Sequence, residues 1–275
     1  FGTGCLTFVI SQVFHIPFNL AVFQYIGLTS GSSLPEGGSS LVYLSIFLGL
    51  SAGVFEETTR YLAYRYRLTS PASRTFQSAL MFGTGHGGIE SILLIGLGGI
   101  SQLIGMTVLR GKDLESMGIP ADQVEMVGKQ IQDYWALPWY GVLLADLERV
   151  FAITVHIALT VLVLQCFRRQ QRQCVFWLIL AILFHAGLDF FAVLLTIKYN
   201  IYITELAAAF WALASFGILW YFSQHDHTID DVDLSYSEIG ETSSTAGADN
   251  DDSSPTTTMP SEATNTEFQR LSEQQ

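Results

Sequence analysis

The 275 residues are 49% hydrophobic and only 14% charged, with a mean hydropathy of +0.36; soluble domains carry about 25% charged residues, so a water-soluble globular fold is excluded for the bulk of the chain. Of the net charge of −12, −11 lies from Gln224 onward, where 12 acidic residues face the single basic residue Arg270. Residues 1–223 are therefore nearly neutral, and the pI of about 4.8 describes a tail; no nucleic-acid partner is expected.

A bilayer-spanning helix needs about 20 mostly apolar residues, and six stretches qualify. Thr3–Leu28 is uncharged and carries His15 and Pro17. Leu41–Tyr64 holds Glu56, Glu57 and Arg60, and Phe76–Leu109 is Gly-rich and long enough to be tilted or broken. Leu137–Phe167 carries Asp146, Glu148, Arg149 and His156, and Val175–Ile197 carries His185 and Asp189. Ile201–Phe222 completes the set. The expected fold is all-α: a polytopic membrane helix bundle over 1–223, followed by an acidic disordered tail over 224–275. The tail is rich in Ser, Thr, Asp and Glu and cannot bury enough apolar surface to offset chain entropy.

The loops orient the bundle. Arg65, Arg67 and Arg74 follow the second span; Arg168, Arg169 and Arg172 follow the fourth. Two spans separate these loops, so they share a side, and positive charge marks the cytoplasmic side. The 29–40 loop has no Lys or Arg, and the 111–136 loop is mixed in sign. The tail then also falls in the cytoplasm. Six spans place Phe1 inside; one further helix ahead of it would place the N-terminus outside. The three cysteines, Cys5, Cys166 and Cys174, have no metal-type spacing, and an odd count argues against a disulfide framework.

Ionisable groups at membrane depth are costly, so each needs a reason. Glu56 lies nine residues before Arg65, His86 ten after Phe76, His156 twelve before Arg168 and His185 eleven after Cys174. At about 1.5 Å rise per residue, all four lie about 15 Å from the basic ends. Unrelated core residues have no reason to align in depth. His86 and Glu90 are four residues apart and share a helix face; so do His185 and Asp189. Arg60, Glu148 and Arg149 read as structural ion-pair members, and His15 as a hydrogen-bonded contact between helices. Three His with a carboxylate suit a catalytic zinc centre or a metal-free water-activating site.

These residues resemble a known group. Glu56-Glu57-Thr-Thr-Arg60, Phe82-Gly-Thr-Gly-His86 and His185-Ala-Gly-Leu-Asp189 are similar to the EExxxR, FxxxH and HxxxN/D motifs of the CAAX-protease and bacteriocin-processing superfamily. Gln12…His15-Ile-Pro17, Gly85-His86-Gly87…Glu90 and Glu148-Arg149…His156 more specifically resemble the YhfC family of intramembrane metalloproteases. The likeness covers residues from about 10 to 222. Two departures stand out: the first motif is one residue short, leaving open which glutamate is the base, and the last ends in Asp189 rather than Asn. The resemblance implies hydrolysis of peptide bonds in membrane-embedded or membrane-associated substrates. Glu56 or Glu57 would be the base, His86, His156 and His185 would hold water or Zn²⁺, and Glu90 and Asp189 would orient them or add ligands. An ion or proton carrier uses similar groups, and a non-catalytic scaffold with a retained site is a third alternative.

Overall fold

The computed structural model describes residues 1–28 and 37–245, without the side chains of Val142, Gln171 and 227–245. Among the described residues the chain is helical and has no strand. It divides into two compact units, Phe1–Asp231 and Val232–Gln275; the site belongs to the first.

Among the described residues, six helices are long and apolar enough to cross a membrane. They are α1 (Gly2–Tyr25), α2 (Gly38–Tyr66), the span Phe76–Leu109, α6 (Tyr140–Arg168), α7 (Cys174–Lys198) and α8 (Ile201–Thr245). The third span is one rod in three pieces: α3 (Phe76–Glu90), a π-helical segment (Ser91–Leu97) and α4 (Gly98–Leu109). Of the alternatives of a tilted or a broken span, the helix shows a widened turn, which starts beside Glu90. Pro17 sits inside α1 without ending it.

One helix, α6, forms the centre: 72% of its apolar window is buried, against at most 39% in the other spans. α2 packs chiefly on α7, α3 on α6, and α1 on both α3 and α2. Small residues bring these backbones together. A Cβ on Gly53 would come 2.7 Å from the Ile182 carbonyl of α7, and one on Gly83 would come 2.5 Å from Ile157 Cα of α6. Such close crossings are a common way for membrane helices to associate, because lipid offers no hydrophobic drive between them. The π segment and α4 bury none of their side chains, as expected of a surface turned to lipid.

The basic loops lie at one end of the bundle. The Arg74 guanidinium sits 4.7 Å over the Phe167 ring at the end of α6 and donates to Leu68 O and Tyr64 O at 2.8 Å each.

Two stretches differ from expectation. The mixed-sign loop after the third span contains a further helix, α5 (Val124–Ala136). Its inward residues Val124, Val127, Ile131 and Tyr134 recur at helical spacing, and Trp135 donates to Met106 O of α4 at 3.3 Å. The bundle also does not end at residue 223. Asp226 is fully buried, accepts from Gln165 Nε2 at 3.1 Å and lies 3.8 Å from both Arg168 and Arg169. The first acid of the presumed tail is a counter-charge for the basic end. α8 continues to Thr245; residues 246–275 of the expected disordered tail lie outside the described residues, as do 29–36 of the loop without Lys or Arg.

Candidate functional site

α1 supplies a polar stripe. Thr7, Ser11, His15 and Asn19 recur every four residues, so they lie along one face of an apolar helix. Thr7 Oγ1 bonds His86 Nδ1 at 3.0 Å, and Gln12 Nε2 donates to Glu56 Oε1 at 3.1 Å. His15 bonds Ser51 at 3.0 Å and Asn19 at 2.9 Å, as expected of an interhelical contact, yet it also borders the cavity described below.

α2 presents two adjacent glutamates to different surroundings, since successive helix residues point about 100° apart. Glu56 turns to the cavity. Its Oε2 lies 3.0 Å from His86 Nε2, 3.9 Å from His185 Nε2 and 3.8 Å from Arg60. Glu57 points behind it, fully buried, and pairs with Arg60, which is also fully buried. The same Glu57 oxygen accepts from His185 Nδ1 at 2.7 Å. Arg60 is therefore held most closely by the glutamate three residues before it, with Glu56 as a second, looser counter-ion.

The network continues across the bundle. Arg60 reaches His156 Nδ1 on α6 at 2.7 Å. His156 Nε2 lies 2.5 Å from Glu90 Oε2, which is buried and has no aligned hydrogen bond. Glu90 Oε1 accepts from Arg149 at 3.3 Å, and Arg149 also pairs with its neighbour Glu148. Close helix approach permits this: a Cβ on Gly87 would come 3.0–3.1 Å from the His156 side chain. Asp189, one turn from His185, stands 3.6 Å from His185 Nε2.

Several of these groups border a cavity of about 240 Å³, walled by α1, α2, the third span, α6, α7 and α8. Glu56, Glu90, His156, His185 and Asp189 face it; Glu57, Arg60 and His86 do not line it, and His86 reaches it through Glu56. One ligand atom each from Glu56, His86, Glu90 and His156 lie within 4.8 Å of one another. Sequence reasoning named His86, His156 and Glu90 of this group as ligands, Glu56 as a candidate base, and His185 and Asp189 as further ligands that the group does not include. It gave no role to Thr7, Gln12 or the α8 residues Thr204 and Ala208, which also line the cavity or hold its members. The signal for Thr7 was the four-residue polar stripe on α1. Thr204 and Ala208 carry none.

The family model for YhfC intramembrane metalloprotease matches residues 1–209. The uncharacterized membrane protein YhfC of Bacillus subtilis (strain 168) is 31% identical over 210 residues, which cover 76% of this chain and 76% of that protein. No solved structure matches the chain.

Proposed function

The chain belongs to the YhfC intramembrane metalloprotease family, and we propose that it hydrolyses peptide bonds of membrane-embedded or membrane-associated substrates within its helix bundle. The observation that carries this reading is the convergence of Glu56, His86, Glu90 and His156 on one small volume inside the membrane spans.

A metal fits the donor set. Imidazole and carboxylate are zinc ligands with bonds of about 2.0–2.2 Å, so two ligands of one tetrahedral ion stand about 3.3 Å apart. One ligand atom each from His86, Glu90 and His156 lie within 4.8 Å of one another, and the buried Glu90 Oε2 without an aligned hydrogen bond has capacity to spare. These three would hold the ion, with Glu56, His185 and Asp189 adjoining. Bound there, Zn²⁺ would polarise the scissile carbonyl and bring the pKa of its water to about 7.

The chain's own residues supply the rest. Glu56 is the base: it faces the cavity and can take the proton that water loses as it attacks the carbonyl carbon. Gln12, bonded to the other oxygen of Glu56, fixes the direction of that carboxylate. Glu57 and Arg60 lie behind the site and hold His185 and His156 in place. Positive charge at the Arg74–Phe167 end orients that end to the cytoplasm, and with it the root of the acidic tail at Asp226.

The test is comparative. Membranes from cells carrying wild-type or His86→Ala protein are compared for new peptide termini, and the purified protein in lipid vesicles is then given the candidate substrates. Termini in or beside transmembrane segments should appear only with the wild type. Identical termini in both would return the site to an ion carrier or a scaffold.

A further inference from the structure

The cavity has a direction. Its lining residues can be ranked by their distance from the basic end of the bundle, counted along each helix. Among the nearest are Glu56, nine residues before Arg65, and His185, eleven after Cys174. The farthest include Ala192, eighteen after Cys174, Glu148, twenty before Arg168, and Thr204, twenty-two before Asp226. At about 1.5 Å per residue, the cavity runs from about 14 Å to about 33 Å from that end. Among the described residues, none closer to the basic end than the level of Glu56 lines it.

Exposure rises in the same direction. The side chains of His185 and His156 are 3% and 4% exposed, that of Glu90 is 13%, and those of Asp189 and Glu148 are 33% and 32%. Toward the basic end the bundle is closed. Arg60, Tyr64, Phe82, Leu159 and Ala181 are at most 2% exposed, and the Tyr64 and Phe82 rings meet at 5.2 Å. Water that reaches Glu56 therefore comes from the opposite end.

The third span opens that end sideways as well. α3 packs on α6, with Gly83 and Gly87 at the contact. Past Glu90 the π-helical segment and α4 bury no side chain. Among the described residues they pack closely only on α3, on each other and on α5. π turns bend helices and are frequent at functional sites. Leu94, in this segment, lines the cavity and is also 54% exposed, so the cavity wall there is an edge facing the bilayer.

We propose that substrate enters from the end opposite the arginine loops, through the gap between the π-helical segment and α6, and that the bond cut lies in that half of the bilayer. This rests on the peptidase reading above and narrows its substrate class. The substrates are membrane segments that unwind in the half away from the basic loops, which is the non-cytoplasmic half when positive charge marks the cytoplasm. A helix with its side chains is about 10–12 Å across and does not fit a cavity of about 240 Å³, so the segment enters unwound.

Both arms of the test use the full chain in lipid vesicles, inserted in one orientation. Cysteine variants are treated with a membrane-impermeant trimethylammonium methanethiosulfonate. Modified peptides are identified by mass spectrometry, so the native cysteines stay in place. Arg172→Cys marks the basic face. Ala52→Cys, beside the site, and Ala192→Cys, farther out, both line the cavity and should react only from the face opposite to the one that modifies Arg172→Cys. Reaction of either from the Arg172 face, or of both from neither face, overturns the proposal. The second arm supplies two single-span substrates with the same unwound Gly-rich stretch, placed in the half near the arginine loops or in the half away from them. Only the second should be cut, and its cutting should be lost in His86→Ala. Equal cutting of both, or cutting of the first alone, overturns the proposal. One-sided labelling with neither substrate cut refutes the peptidase reading and leaves the route into the cavity standing.

Discussion

Replacing Arg60 by Met tests whether the buried charge network is a structural element. Arg60 and Glu57 are both fully buried. The substitution keeps an apolar stem and removes one charge. Glu57 is then left with a single close partner, the His185 Nδ1 donor at 2.7 Å, while its other oxygen already has none. Removing one member of a buried pair costs about 3–5 kcal/mol, because the remaining charge stays uncompensated. Glu57→Gln should cost less. Arg60 would keep Glu56 as a counter-ion at 3.8 Å, and the amide oxygen can still accept from His185. The double variant Arg60→Met/Glu57→Gln has neither charge, so its cost should fall below the sum of the single ones. That difference is the coupling energy of the pair. The assay is reversible unfolding in mixed micelles, followed by loss of helical circular dichroism. An Arg60→Met cost below about 1 kcal/mol, in the range of exposed pairs, would refute the reasoning, as would simple additivity in the double variant.

Three other outcomes are expected. Glu56→Gln should abolish peptide cleavage, while Glu57→Gln should leave a folded protein with reduced cleavage; equal and complete loss in both, measured on a reconstituted substrate, would contradict the assignment of Glu56 as base. Gly83→Ala should destabilise by about 1–3 kcal/mol, the usual range for overpacking, because its Cβ would meet Ile157 Cα at 2.5 Å; Gly88→Ala, with nothing within 4 Å, should be neutral or slightly stabilising in the same unfolding assay. Asp226→Ala should lower the melting temperature of the protein in detergent, since it leaves two arginines without that carboxylate.

Much of this architecture was legible because membrane physics is strict. The six apolar stretches are the six spans, and the third runs from Phe76 to Leu109 as its sequence indicated. Helix α5 was not read because its polar face lowers its average hydropathy, although Val124, Val127, Ile131 and Tyr134 recur at helical spacing. Asp226 was assigned to the tail because composition averages over a segment. A single buried acid at the margin is settled only by what packs on it, here Gln165, Arg168 and Arg169.

The site divides along the same line. An error of one residue at a helix end moves a side chain about 1.5 Å along the axis but about 100° around it. Depth therefore survives uncertain boundaries, and azimuth does not. The shared level of Glu56, His86, His156 and His185 could be counted from the basic ends, and the structure joins them through contacts of 2.5–3.9 Å with Glu90, Glu57 and Arg60. Which of Glu56 and Glu57 faces the cavity is a question of azimuth. It is decided by α7 packing on α2, where the small residues Gly49 and Gly53 let the helix bearing His185 approach. His185 then captures Glu57 by its Nδ1 and leaves Glu56 to the cavity. On the proposed reading the choice of base depends on two glycines, one and two turns before the glutamate pair, through the helix crossing they permit.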